Sequence, residues 1–207
     1  MSIVVFDLET QTLIKDSFGH DRDTKTKNLQ ISVACALVLN ADLVVAGRSE
    51  EALSTAVPLT LWRETSNMEE LLKLFDEAEV IAAYNSLGFD SLVLLKHYGR
   101  SGKNRYLSHT FKTLDSFSRL RDATQRWYKL DDLLRVNSLG TKTADGIQAI
   151  EMFADGRLKE LEKYCMEDVR LLAKLLLKET LVLPDCNIRV PNSVFGLRSA
   201  VASARSK

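Results

Sequence analysis

Cysteine is scarce in this chain and carries no pattern. Cys35, Cys165 and Cys186 are odd in number and lack any C-x-x-C spacing. That argues against a disulfide framework and against a zinc site, and points to reduced buried thiols in an intracellular protein. Histidine is equally thin: His20, His97 and His109 show no ligand spacing and are expected at the surface or in satisfied core positions. No apolar run approaches the length of a membrane span. The opening Met-Ser-Ile-Val-Val-Phe-Asp has no basic stretch and runs straight into an apolar segment, so a cleaved targeting peptide is not expected. The reading is a soluble intracellular protein, of cytoplasm or nucleus. An excess of either charge is also missing, with 28 Lys plus Arg against 28 Asp plus Glu. That counts against a sequence-indifferent nucleic-acid coat but not against an enzyme with a local groove.

What remains is an ordinary globular composition, 45% apolar and 27% charged over 207 residues, enough for one well-cored domain. Ile3 to Leu8 reads as a buried strand, and Gln11 to Asn28, polar and highly charged, as a loop or irregular hairpin. From Leu29 to Leu39 the alternation puts Leu29, Ile31, Val33, Cys35, Leu37 and Leu39 on one face of a strand. Leu43 to Ala46 would be its hairpin partner after an Asn40–Ala41–Asp42 turn. Ser66 and Glu69 form a capping-box pattern ahead of a helix carrying Met68, Leu71, Leu72 and Phe75. Val80 to Ala83 is a second short buried strand, followed by a helix from about Asp90 to Tyr98. Further helices are expected at Leu130–Val136, Ile147–Phe153 and, longest, from about Arg157 to Thr180. Pro184 and Pro191 punctuate a tail in which Ile188 to Val190 could form a last strand. A meander followed by alternating strands and helices predicts an α/β fold with a mixed sheet. The domain is expected over residues 1–180, with 181–207 as a C-terminal extension that can pack on it.

Certain carboxylates stand out from surface charge. Asp7 and Glu9 are two apart in the first strand, so both project from one face, roughly 6–7 Å apart. At that range two like charges repel by about 2 kcal/mol at an effective dielectric near 20. Either a solvated strand end or a compensating cation accounts for them. Asp168 lies inside the apolar stripe of the long helix formed by Leu158, Leu161, Cys165, Val169 and Leu172. Tyr164 sits one turn before it, on the same face. Burying a lone carboxylate costs several kcal/mol, on the order of a lost ion pair, so Asp168 needs a partner. A structural Tyr–Asp pair or a helix edge rolled toward water would also serve. Asp90 falls where a helix begins, and a first-turn acid is favoured by capping and the helix dipole whatever its function.

Two carboxylates on a strand, one at a helix start and one mid-helix converge only if the fold joins those ends, which in an α/β sheet is where sites form. Hard oxygen ligands without His or Cys suit Mg²⁺ or Mn²⁺ rather than zinc. Phe6–Asp7–Leu8–Glu9–Thr10 resembles the first motif of the DEDD exonuclease superfamily, which is ribonuclease-H-like. Asn85-x-x-x-Phe89–Asp90 is similar to its second, and Tyr164-x-x-x-Asp168 to the third motif of its tyrosine subclass. The histidine subclass would need His where Lys163 stands. The stretch from Leu130 through Leu172, with Lys142, Asp145–Gly146 and Arg157, is also similar to the predicted exonucleases found alone or attached to helicases. The motifs span residues 7 to 168.

The resemblance implies a ribonuclease-H-like domain and a two-metal phosphodiesterase acting as a 3′→5′ exonuclease on single-stranded DNA or RNA. In it Asp7 would bridge two ions, Glu9 and Asp168 would complete one site, and Asp90 would hold the second ion. Tyr164 would orient water or the scissile phosphate. Thr10 would meet the terminal nucleotide, and Asn85 and Phe89 would shape its pocket. A helicase or polymerase partner fits the same resemblance. Charge agrees with a nucleic-acid substrate: from Lys96 to Lys129, nine Lys or Arg stand against Asp115 and Asp122, leaving +7, with six aromatics interleaved. Arg119, Arg121 and Arg126 are the substrate-binding candidates there, though a solvated basic face would look the same. The rival functions are a ribonuclease-H-like endonuclease or resolvase, and a nucleic-acid-binding module without catalysis.

Overall fold

The apolar run behind Met1 becomes the middle strand of a five-stranded sheet. The structure, a computed structural model, describes residues 1–62, 68–99, 102–142, 145–184 and 189–206. Strand β1 is Ser2–Thr10, β2 Ile31–Asn40, β3 Val57–Trp62, β4 Ala78–Ala83 and β5 Thr113–Asp115. The sheet order is β3-β2-β1-β4-β5. The first three strands form an antiparallel meander, while β4 runs parallel to β1 and β5 parallel to β4. Helices intervene before β4 and between β4 and β5, as parallel crossovers require. The chain is thus α/β with a mixed sheet flanked by helices.

The partner of β2 is β3, not Leu43 to Ala46. Asn40 explains the difference: its side chain accepts from the backbone N–H groups of Asp42 and Leu43 and so caps helix α2. That capping turns the chain into a helix where a hairpin was expected. The single apolar face expected along β2 is also broken. Glu9 pairs with Val33 but Thr10 with Ile31, so Ser32 is an extra residue, a bulge. Beyond it Leu29 and Ile31 enter the core with Phe6 and Leu8, whereas Val33, Cys35, Leu37 and Leu39 face the opposite one.

Eleven helices are present among the described residues: α1 Arg22–Asn28, α2 Ala41–Val45, α3 Ser49–Ser54, α4 Glu69–Glu77, α5 Asp90–Leu94, α6 Lys103–Lys112, α7 Ser116–Thr124, α8 Leu130–Val136, α9 Gly146–Ala154, α10 Leu158–Leu177 and α11 Leu197–Arg205. Helix α1 lies in the segment expected to be loop. Asp21 caps it, and Thr26 is its one buried residue, so no apolar period announces it. The Ser66 half of the expected capping box lies outside the described residues; α4 follows, with Leu71, Leu72 and Phe75 buried. The helix expected to reach Tyr98 divides into α5 and a 3₁₀ turn over Leu95–Tyr98.

One face of the sheet packs on α10, whose Leu161, Cys165, Val169 and Leu172 meet Ile3, Val5, Val33 and Cys35. The other buries Val4, Phe6, Leu8 and Ile81 against Leu71, Leu72 and Phe75 of α4 and Val93 and Leu94 of α5. β6 (Thr180–Val182) pairs with β7 (Arg189–Pro191) in a small separate sheet; Ile188 and Cys186 lie outside the described residues. Beyond it Phe195, Leu197 and Val201 join the α10-side core, and Arg205 binds Glu79 and Asp42. Among the described residues no helix is long and apolar enough to cross a membrane.

Candidate functional site

Side chains of β1 alternate, so Ile3, Val5, Asp7 and Glu9 project toward α10 while Val4, Phe6 and Leu8 project away. The apolar members bury the start of the strand, and the row ends in two half-buried carboxylates at its carboxyl end. Above them α10 presents Tyr164 and Asp168, one turn apart and both buried. Cys165 fixes the height of the helix over the strand, its thiol donating to the Asp7 carbonyl at 3.7 Å. The result joins residues 155 or more positions apart, the separation of Glu9 and Tyr164. One carboxylate oxygen from each of Asp7, Glu9 and Asp168 lies within 4.8 Å of the others, an arrangement that could hold a metal ion.

Asp90 enters from the neighbouring strand and lies outside that triple. It opens α5 just beyond β4 and is buried, with Oδ1 lacking a hydrogen-bond partner. The turn that delivers it is held by Asp115, a buried acid at the end of β5 to which the sequence reading gave no role. Asp115 Oδ1 accepts from the backbone N–H of Asn85 (3.0 Å) and Oδ2 from that of Leu87 (3.0 Å). Oδ1 also accepts from Ser118, capping α7. Asn85 takes left-handed backbone angles (φ 63°), and a Cβ on Gly88 would stand 2.8 Å from its Oδ1, so a side chain there would displace it. Phe89 packs into the core on the far face of the sheet. Thr10 is buried at the end of β1, its hydroxyl donating to the Thr12 carbonyl at 3.0 Å.

Lys142, singled out in the sequence only as part of a resemblance and given no role there, joins the cluster. Its Nζ lies 2.7 Å from Asp168 Oδ2 and 5.5 Å from the centre of the Tyr164 ring. The contact is an ion pair, and Lys142 and Tyr164 are the two side chains that draw the Asp168 carboxyl down against its burial. Asp131 of α8 holds the lysine in place by accepting from its backbone N–H at 2.8 Å.

Burial governs the titration of this cluster. It pushes the Asp7 carboxyl up to about 7, with Lys142 pulling down and Asp168 pushing up. Glu9 is held well above its ordinary value by burial and then by Asp7, and Asp90 likewise. Asp168 is raised by burial, against the pull of Lys142. Burial works against the charge on Lys142, but Asp7 and Asp168 outweigh it and hold the ammonium above its usual range. Burial, then the charge of Glu9, keeps the Tyr164 phenol well above 10. These are crowded acids with an orphaned oxygen on Asp90 and one lysine, a donor set that suits a hard divalent cation.

The arginine candidates are dispersed. Arg119 lines a hollow with Ala78, Glu79, Gly196 and Ala200 at the amino end of β4, away from the carboxylates. Arg121 pairs with Asp122 at 2.8 Å and stacks over Trp127, and Arg126 is exposed on the loop leading to α8. The rest of the basic stretch is partly used for packing. Arg105 binds Glu69 and Asp76, Lys112 donates to the carbonyls of Phe75 and Asp76, and Lys96 donates to that of Leu29. No family model matches the sequence, and no curated protein matches it as a relative.

Proposed function

We propose that the chain has the ribonuclease-H-like fold and acts as a metal-dependent 3′→5′ exonuclease on single-stranded nucleic acid, in the manner of the DEDD tyrosine subclass. The observation that carries this reading is the convergence of Asp7, Glu9 and Asp168 oxygens within 4.8 Å beneath Tyr164. Asp90 arrives from the adjoining parallel strand. Sheet order supports it too: an antiparallel meander whose first strand continues into parallel neighbours puts the acids outside the carboxyl ends of adjacent strands.

Asp7, Glu9, Asp90 and Asp168 would hold two Mg²⁺ or Mn²⁺ ions. When bound, such ions neutralise the attacking and leaving oxygens of phosphodiester hydrolysis and ease deprotonation of water. The chain's own groups do the positioning. Tyr164, its phenol kept protonated at neutral pH by burial and by Glu9, can donate a hydrogen bond but cannot act as a base. Lys142 stays charged and would offer an ammonium to a phosphate oxygen, while it opposes the rise that burial imposes on the Asp168 carboxyl. By the resemblance Thr10, which ends β1 beside Glu9, and Asn85 and Phe89, which lie in the turn before Asp90, would take the terminal nucleotide, Phe89 acting from the α4-side core in which it packs.

The deciding experiment incubates the protein with 5′-labelled linear strands and internally labelled circular single strands of DNA and RNA in Mn²⁺. Linear strands should shorten from the 3′ end and circles should survive. Asp7→Ala should lose all but a few per cent of the activity. Circles cut as fast as linear strands would replace the reading by an endonuclease. Binding without any hydrolysis would replace it by a non-catalytic module.

A further inference from the structure

An aromatic ladder leads away from the carboxylates to the surface. Tyr84 stands two residues beyond Ala82, the β4 partner of Val5, as Asp7 stands two beyond Val5. It packs on the same side of the sheet as α10. The β1–β4 register ends at Val5–Ala82, so Tyr84 lies just past the paired residues, at the carboxyl end of the strand next to the one that carries Asp7. The Tyr84 ring lies 5.6 Å from that of Phe117, and Phe117 lies 5.2 Å from Trp127. The Arg121 guanidinium carbon sits 5.4 Å from the centre of the Trp127 ring. The loop bearing Trp127 is tied back to the strand end, because the Tyr84 hydroxyl donates to the Tyr128 carbonyl at 2.6 Å.

Trp127 is 70% exposed. A tryptophan in that state adds little to the core, yet this ring is held by an aromatic on one side and a guanidinium on another, so its plane is fixed. Exposed aromatics scattered singly need no explanation. Phe111, 87% exposed, is of that kind, standing at the amino end of β4 beside Ala78 and Val80. Trp127 differs in being the outer end of an ordered ladder that begins at the acids. Cations accompany it, with Arg121, Arg126 and Lys129 within a few residues. The Asp122 that pairs with Arg121 is itself 69% exposed, and such a pair exchanges readily for another anion.

We propose that Trp127, backed by Phe117 and Arg121, is a stacking platform for the bases of a single-stranded nucleic acid whose 3′ end lies at the carboxylates. This rests on the nuclease reading for where the strand ends, but not for the stacking itself. Stacking is indifferent to base identity, because every base has a π-face. The platform therefore gives grip and direction rather than sequence preference. Its neighbouring cations make the grip salt-dependent.

The test measures binding without cleavage, using dT and rU octamers in Ca²⁺ with wild type, Trp127→Ala and Trp127→Tyr. Wild-type tryptophan emission should be quenched by the octamers, and Trp127→Ala should weaken binding on the order of 10- to 100-fold. Trp127→Tyr should recover most of the affinity, which loss of a merely packed ring would not allow. If only one of the two octamers shows the loss, the platform belongs to that nucleic acid alone. Trp127→Ala binding both octamers within twofold of wild type overturns the proposal. Because no turnover is measured, the two readings fail separately. Quenching with no Mn²⁺-dependent hydrolysis keeps the platform and removes the nuclease. Hydrolysis with Trp127→Ala affinities unaltered does the reverse.

Discussion

Replacing Asp7 by Asn isolates the electrostatics of the cluster, because Asn imitates the protonated acid in shape and charge. Burial pushes the Asp7 carboxyl from 3.8 up to about 7, even with Lys142 nearby. Between about pH 4 and pH 7 the folded protein therefore keeps a proton that the unfolded chain has released. Stability falls as pH rises through that window, and the full cost is reached above pH 7. At about 1.4 kcal/mol per pH unit the difference amounts to ~4 kcal/mol. Relaxation and water entry around a half-buried group should reduce it to about 2 kcal/mol. Asp7→Asn should thus stabilise the protein in EDTA at pH 8, raising Tm by roughly 4–8 °C for a chain of this size. At pH 4, where neither protein carries the charge, the gain should vanish. Excess Mn²⁺ should invert the order. A cation at 100 times its Kd stabilises wild type by about 2.7 kcal/mol, while the variant lacks the ligand. Melting curves at pH 4 and 8, with EDTA or Mn²⁺, measure all four corners. An Asp7→Asn protein that is less stable than wild type in EDTA at pH 8, or that gains as much from Mn²⁺, would refute the argument. The cluster would then be an ordinary hydrogen-bonded structural group.

Other expectations follow from neighbouring residues. Tyr164→Phe keeps the buried ring and removes one donor, so single-turnover hydrolysis should slow roughly 10²–10⁴-fold while Mn²⁺ affinity, measured by calorimetry, stays within a few-fold. Lys142→Met leaves Asp168 beside Asp7 and Glu9 with no cation. It should cost about 2–4 kcal/mol in urea titrations at pH 8 in EDTA, with much of the deficit restored by Mn²⁺. Arg121→Glu with Arg126→Glu should raise KM for single strands and flatten its dependence on salt, because fewer counterions are released. Arg119→Glu, at the other end of β4, should leave both within about twofold; an equal effect would mean that the strand path runs over the α11 side.

Parts of the site that depend on local geometry were legible without coordinates. Asp7 and Glu9 share a face because a strand alternates, and Tyr164 and Asp168 do because a helix repeats every three to four residues. The mid-stripe position of Asp168 left burial or a helix edge rolled toward water, and the residue is buried, 2% exposed. Where only composition spoke, the reading failed. The polar segment before β2 holds α1, and the residues after Asn40 form a capped helix rather than a strand. The basic run looked like one surface, yet its members point to different faces, some of them bonded to Asp76 and Glu69.

The sequence by itself determined the α/β class, the two-residue spacing of the strand acids and the one-turn spacing of the helix pair, all consequences of backbone periodicity acting over a few residues. Only the tertiary structure decided that β3 closes the meander, that Ser32 bulges, and that Asp115 fastens the turn before Asp90. It alone set Lys142 on Asp168 and aligned Tyr84, Phe117 and Trp127. Apart from Phe117 and Trp127, which are 10 positions apart, those contacts between elements join residues 19 or more positions apart, and no periodic pattern links them. They exist because close packing of the helices on both faces of the sheet leaves one arrangement of loops at its carboxyl edge.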